Sequence, residues 1–223
     1  MKVAVVQFPG SNADWDSLHV TRDVMGWDAR FVFHKETELG RCDLVVVPGG
    51  FAHGDYLRCG AIARFSPIAD AIRRFAASGG PVIGICNGFQ VLTEMGLLPG
   101  ALVRNANLRF ECRDVWLEVE NEGRFTKMPK GSVLRLPIAH GEGRYHCDDE
   151  TLARLQGEGQ IAFRYCGPGG ERGEGNPNGS KSDIAGVYDA KKNVLGLMPH
   201  PERASEALLG NADGRKLFES LLS

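Results

Sequence analysis

Between Pro81 and Met95 the hydrophobic pattern changes its period, and no other stretch constrains the fold as tightly. Pro81-Val82-Ile83 is a short apolar run with β preference. Phe89, Val91, Leu92 and Met95 then recur at helical spacing until Pro99-Gly100 stops the pattern. At the switch lies Gly84-Ile85-Cys86-Asn87-Gly88, a strand-to-helix turn that presents one cysteine. Glycines on both sides permit a tight, strained backbone and close packing of helix on strand. The thiol also faces a helix N-terminus, whose partial positive charge favours thiolate. A nucleophile needs that setting and a buried structural cysteine does not, although the turn alone leaves both readings open.

The same alternation fills the first half of the chain. Residues 2–8, 29–34 and 44–48 read as strands, and 14–25 as a helix. Residues 60–77 carry a long amphipathic helix pattern, with Ile62, Phe65, Ile68, Ala69, Ile72, Phe75 and Ala76 on the apolar face. Strands alternating with helices imply a parallel sheet covered on both faces, with ligands at the carboxyl ends of the strands. The second half is more β-like: 115–119, 133–138, 161–165 and 184–188 read as strands, 150–155 and 214–222 as helices. The expected fold class is therefore α/β, a mostly parallel central sheet flanked by helices with added β-strands in the second half. The Gly- and Pro-rich stretch from Gly167 to Ser180 reads as a long loop over the site or over a partner surface.

Two further strand ends carry chemistry. Asn193-Val194-Leu195-Gly196-Leu197-Met198 reads as a buried strand and runs into Pro199-His200-Pro201-Glu202. The prolines disfavour a helix there, and in extended backbone the His200 and Glu202 side chains leave on the same side. A carboxylate can then orient an imidazole that serves another group. With Cys86 the set is a nucleophile, a base and an orienter. Asp43-Leu44-Val45-Val46-Val47 is a third strand, and it ends in Pro48-Gly49-Gly50-Phe51. A glycine pair there lets backbone N–H groups turn toward a ligand, and the amides of Gly50 and Asn87 are assigned to an oxyanion hole. All three motifs follow strands, so one crevice can collect them.

Composition narrows the classes of function. The formal charge is −2 and Lys and Arg form no long run, which leaves no footprint for nucleic acid. No apolar stretch approaches the roughly 20 residues of a membrane span. Met1-Lys2-Val3-Ala4-Val5-Val6 passes straight into a strand with no signal-peptide cleavage pattern. The cysteines at 42, 59, 86, 112, 147 and 166 are widely spaced, without a C-x-x-C pair, which argues against a zinc site and a disulfide framework. A cytoplasmic protein without a bound metal is expected. The phosphate-loop pattern G-x-x-x-x-G-K-[ST] does not occur, so ATP chemistry is not expected on this chain.

Together, Pro48-Gly49-Gly50-Phe51, Gly84-Ile85-Cys86-Asn87-Gly88-Phe89-Gln90 and Pro199-His200-Pro201-Glu202 resemble the class I, triad-type glutamine amidotransferases. Four more blocks narrow the likeness to the family of glutaminase small subunits of phosphoribosylformylglycinamidine synthase. They are Phe8-Pro9-Gly10-Ser11-Asn12, Gly54-Asp55-Tyr56-Leu57-Arg58, Ile138-Ala139-His140-Gly141-Glu142-Gly143-Arg144 and Asn176-Pro177-Asn178-Gly179-Ser180. The resemblance covers essentially the whole chain. Two departures, Ala52-His53 and Ala13, stand where the family commonly has other residues, and neither touches the triad.

The resemblance implies a single class I glutamine amidotransferase domain over 1–223, with a flavodoxin-like sheet. It implies Cys86, His200 and Glu202 as catalytic residues, with Gln90, His140 and Gly141 holding the glutamine, and Phe110 and Asn176 as further candidates. A plain reading of His140 as a turn histidine satisfied by Glu142 stands beside that one. The implied partners are a large synthetase subunit, which binds ATP and Mg, and a small bridging subunit. Two other classes stay open: a stand-alone cysteine hydrolase or peptidase of the related flavodoxin-like superfamily, and a non-catalytic binding subunit. The first commonly has its histidine directly after the nucleophile, where this chain has Asn87; the second would be expected to have lost part of the triad.

Overall fold

The β-branched runs pair edge to edge. The computed structural model describes residues 1–222, and Ser223, the last residue of the domain expected over 1–223, lies outside them. Strands β1 (Lys2–Gln7), β2 (Asp28–Phe33) and β3 (Leu44–Val47) build one flank of the main sheet. Between β1 and β2 runs α1 (Asp14–His19), which continues as a π-helical turn over Val20–Val24. Next come α2 (Ile68–Ala77), β4 (Val82–Ile85) and α3 (Asn87–Glu94), followed by β5 (Ala101–Val103) and β6 (Glu111–Val119). The rest comprises β7 (Val133–His140), β8 (Arg144–His146), α4 (Asp149–Gly157), β9 (Ile161–Cys166), β10 (Ile184–Tyr188), β11 (Val194–Leu197) and α5 (Arg215–Glu219).

Nine strands form one sheet in the order β2-β1-β3-β4-β11-β10-β9-β6-β7. The first five run parallel, and from β11 onward each neighbour is antiparallel. This is the expected α/β fold, with its parallel centre and its added strands. Every residue of β3, β4 and β11 is buried, because helices cover both faces of a parallel sheet. Register aligns Val46 with Ile83 and Leu195 with Ile83, so β3, β4 and β11 end together at one sheet margin. Gly49-Gly50, Cys86 and His200 all follow those three ends. The antiparallel half curls back to the same place: β7 lies four positions from β11, yet the Pro137 carbonyl accepts the His200 N–H at 2.8 Å. Pro137 is tolerated in β7 because that strand is the sheet edge.

Several boundaries differ from the sequence expectation, each for a local reason. The helix expected over 60–77 begins only at Ile68. Ser66, preceding Pro67, is extended with ψ 144°, and proline disfavours helical backbone in the residue before it. Residues 14–25 form a helix whose second half widens to a π turn. The strand expected over 115–119 starts four residues earlier at Glu111, because β7 pairs with Glu111 to Glu118. A small antiparallel sheet of β5 and β8 went unexpected, both strands being only three residues long. The final helix is Arg215–Glu219, closed by a 3-10 turn over Ser220–Leu222.

Candidate active site

Cys86 lies between the last residue of β4 and the first of α3, at φ 51° and ψ −107°, where a non-glycine residue is strained by about 1–3 kcal/mol. Its N–H is held by the Leu197 carbonyl at 2.8 Å, and its carbonyl accepts from Phe89 and Gln90. Gly88 follows because α3 crosses β3 closely, and a Cβ there would overlap the Val47 carbonyl. The strand, the strained turn and the close helix are thus one device for aiming a thiol into the crevice.

His200 is 2% exposed, and its Nδ1 lies 2.5 Å from Glu202 Oε1. Glu202 is equally buried. The extended backbone expected around them holds only at His200. Pro201 opens a 3-10 turn over Pro201–Ala204, and the turn rather than a strand brings the carboxylate under the ring. Burial alone would lower the pKa of His200; the charge on Glu202 and then Cys86 outweigh it and raise the value to about 10. Nε2 makes no completed hydrogen bond among the described residues, and Cys86 is the other group that couples to the ring. Gly49 leaves the space between them: a Cβ there would lie 2.8 Å from His200 Cε1 and 3.5 Å from Cys86 Cβ.

Gly50 adopts φ 151°, and a side chain on it would press on Gly10, Ser11 and Asn12 at 2.7–2.9 Å. Its neighbours are committed, with Phe51 N–H on Gly10 O and Asn12 and Ala13 N–H on Gly49 O, while the Gly50 amide has no partner among the described residues. Asn87 is the first residue of α3, so its amide lies outside the helix's own ladder. The Asn87 side chain does a job the sequence did not reveal. Its Oδ1 accepts the Ala52 N–H at 3.0 Å, and its Nδ2 reaches Gln90 Oε1 at 2.8 Å and Asp55 Oδ1 at 3.3 Å. The glycine loop is thereby fastened to the helix that begins after Cys86.

A cavity of about 200 Å³ opens on Cys86 and Gly50, and Gln90, His140 and Gly141 line it as well. Gln90 is already braced, its Nε2 donating to the Glu142 carbonyl at 2.7 Å. His140 is not satisfied by Glu142. Its Nδ1 meets Asn105 Oδ1 at 3.2 Å, and Asn105 also donates to the carbonyls of His140 and Arg109. Phe110 borders the cavity. Asn176 does not: its side chain knots the 176–183 loop through Ser180, Asp183 and the amides of Asn178, Gly179 and Ser180. The Gly167–Ser180 stretch braces the site from behind, with Asn178 Nδ2 on the Gly143 carbonyl. Asp55, Cys59 and Glu142 complete the wall. Sequence reasoning gave none of the three a place in the site, although Asp55 and Glu142 sit inside two of the blocks that carried the narrower resemblance and Glu142 was weighed as a partner of His140.

Among the described residues no three His, Cys, Asp or Glu side chains are disposed to hold a metal ion, and no helix is long and apolar enough to cross a membrane. Residues 1–217 match the CobB/CobQ-like glutamine amidotransferase domain family. The chain is 57% identical to the phosphoribosylformylglycinamidine synthase subunit PurQ of Gloeobacter violaceus, over 100% of this chain and 97% of that one. The identity is also 57% to the same subunit of Aquifex aeolicus, over 100% of both. This chain belongs to the PurQ family of glutamine amidotransferases. Among solved structures, the PurLQS structure of Thermotoga maritima superposes with a TM-score of 0.88 at 43% identity, covering 99% of this chain and 97% of that one. Another glutamine amidotransferase from Thermotoga maritima, at 18% identity and a TM-score of 0.59 over 99% of this chain and 90% of that one, shares the fold. Membership of the PurQ family accounts for the four blocks outside the triad motifs.

Proposed function

We propose that this chain is the glutaminase subunit of a phosphoribosylformylglycinamidine synthase, acting in de novo purine synthesis. Cys86 Sγ attacks the side-chain carboxamide carbon of glutamine with its proton already passed to His200. The amides of Gly50 and Asn87 receive the developing oxyanion. His200, held in the proton-bearing form by Glu202, then gives that proton to the departing nitrogen, and the C–N bond breaks to release ammonia. Water, deprotonated by His200, hydrolyses the γ-glutamyl thioester to glutamate, which frees Cys86 and leaves the proton on His200. The observation that carries this reading is the 2.5 Å contact between buried His200 and Glu202, beside a strained Cys86 at the mouth of the cavity.

The ammonia passes to a large synthetase subunit, which binds ATP and Mg and converts formylglycinamide ribonucleotide to formylglycinamidine ribonucleotide. A small third subunit bridges the two. No cofactor is assigned to this chain. The cytoplasm is the proposed setting, since Cys86 must stay a reduced thiol to act. The test is glutamate release from glutamine, by the chain alone and with the synthetase subunit, with Cys86→Ala as control. Partner-stimulated release that Cys86→Ala abolishes is expected. No release under any condition, with Cys86 inert to a glutamine-mimicking electrophile, returns the chain to a binding role.

A further inference from the structure

Outside the cavity, three rings meet beside the glycine loop. Phe8 follows β1, His34 follows β2, and His53 lies three residues after Gly50. The His34 and His53 centroids are 5.2 Å apart at 77°, edge against face, and Phe8 lies 6.3 and 6.4 Å from them. His34 is the fixed member. Its N–H donates to the Gln7 carbonyl, its carbonyl accepts the Ile68 N–H, and its Nδ1 lies 3.3 Å from Ser66 Oγ. His53 is the strained one. His53, Gly54 and Asp55 take φ 55°, 71° and 53° in succession, a backbone that residues other than glycine adopt only when their surroundings impose it. The turn is held by the His53 N–H on the Pro9 carbonyl, the Gly54 N–H on the Phe51 carbonyl, and Asn87, which bonds to the Ala52 N–H and to Asp55.

Charge is what this cluster cannot accommodate. His34 is 8% exposed, and the charges that act on its ring, those of His53 and Lys35, are both positive when present. The carboxylates of the neighbouring segments are turned elsewhere: Glu36 accepts the Phe33 N–H, Glu38 pairs with Arg74, and Asp55 meets Asn87. Phe33 packs edge-on against His34 at 4.5 Å, and Ser66 offers the ring only a hydroxyl. His53 Nε2 is buried with no partner among the described residues. A proton on His34 would therefore sit against a second imidazole with no counter-charge. Burial first, then His53 and Lys35, lower the pKa of His34 from 6.5.

We propose that His34 and His53 form an acid-sensitive latch on the glycine loop: uncharged, the two rings hold the strained turn down, and a proton taken up on His34 drives His53 away and frees it. The latched form keeps His34 below 6.5 and the released form returns it there. Holding is therefore complete above pH 6.5, and release is favoured as pH falls below it. Between about pH 7 and 5.5 one such proton shifts the balance of the two forms by at most about 10-fold. The turn is continuous with Gly50, so its release slackens the amide assigned to the oxyanion hole and lowers glutamine turnover. That consequence rests on the glutaminase reading, whereas the release itself does not. The latch is particular to this chain, since Ala52-His53 stands where the family commonly has other residues.

The test is hydrogen exchange of the whole chain at about pH 7 and 5.5, read by mass spectrometry and corrected for the intrinsic pH dependence of exchange. The reporters are the bonded amides of Ala52, His53 and Gly54. Their protection is expected to fall about 3–10-fold on acidification while that of β3 and β4 stays constant. His34→Asn keeps a polar group for Ser66 but takes no proton in this range, and it should change by less than about twofold. His53→Asn, suited to left-handed backbone, should flatten the response as well. With the synthetase subunit present, kcat/KM for glutamine should fall over the same range by about threefold more in wild type than in either variant. Constant protection in wild type overturns the proposal and needs no variant to fold. An equal loss in His34→Asn overturns it too, and identical pH profiles of turnover overturn the link from the turn to Gly50. Failure of the glutaminase reading would appear instead as no hydrolysis of glutamine at any pH, with the exchange result standing.

Discussion

Replacing Gly49 by alanine should uncouple the nucleophile from its base without unfolding the chain. A Cβ at that position meets Ala13 Cβ at 3.4 Å and Cys86 Cβ at 3.5 Å, both ordinary contacts, but it falls 2.8 Å from His200 Cε1. Ordinary van der Waals contact begins at 3.4 Å, so the ring must retreat by about 0.6 Å. It has little freedom to do so. The ring is buried, Nδ1 is held by Glu202 at 2.5 Å, and the backbone N–H is tied to Pro137. Gly49 is not among the residues with positive φ, so alanine brings no backbone penalty of its own. Overpacking of this kind costs about 1–3 kcal/mol, and Tm falls by about 2–4 °C for each of them in a chain of this size. Displacing a reacting group by a comparable distance costs about 10²-fold in rate. The assay is glutamate release with the synthetase subunit present, alongside a melting curve. A folded variant within about threefold of the wild-type rate would refute the idea that empty space at Gly49 sets the position of His200.

Three further outcomes follow from the same geometry. Cys86→Gly and Cys86→Ala should both abolish glutamate release, yet the glycine variant should resist urea better, by about 1 kcal/mol or more, because only glycine relaxes at φ 51°; equal stabilities would show that the turn is unstrained. In the folded chain His200 holds its proton to about pH 10, against 6.5 for a free imidazole, so its stabilising contribution is complete below pH 6.5 and fades as pH rises toward 10. Glu202→Gln should flatten the dependence of Tm on pH across that window and lower kcat/KM by about 10²-fold or more; an unaltered pH profile would remove Glu202 from the pair. Asn87→Ala orphans the Ala52 N–H and frees Gln90 and Asp55, which should cost about 1–3 kcal/mol in denaturant unfolding and raise KM for glutamine; an unchanged midpoint and KM would show that the side chain fastens nothing.

What could be read from the sequence was whatever is local. The Gly-x-Cys-x-Gly turn, the glycine pair after Val47 and Pro-His-Pro-Glu each sit within a few residues of a strand end, and parallel strands bring such ends to one margin. The extended geometry assumed for His200 and Glu202 was wrong in detail, because Pro201 turns the chain, yet the pair still forms. Residues that act across the fold left no such trace. Asn105 braces His140 from 35 positions away, and Asn87 meets Ala52 at the same separation. Neither asparagine announces that role, since Ala52 and His140 lie far along the chain and leave no local pattern beside it. The helix start at Ile68 was misplaced for the opposite reason: apolar spacing extends through Ile62 and Phe65, and the stop at Pro67 was outweighed by that pattern.

The position of β11 has a consequence for the order in which the molecule is made. It is the last strand among the described residues, yet it lies in the middle of the sheet, joining β4 on one side to β10 on the other. A ribosome-bound chain that stops short of Val194 has every other strand but two facing open edges where the join belongs, the kind of edge that invites pairing with the wrong neighbour. Closing the seam and delivering His200 to Cys86 are then the same event. On the proposed mechanism a chain that stops short of Glu202 cannot cleave glutamine, so ammonia release waits until that segment has closed the seam.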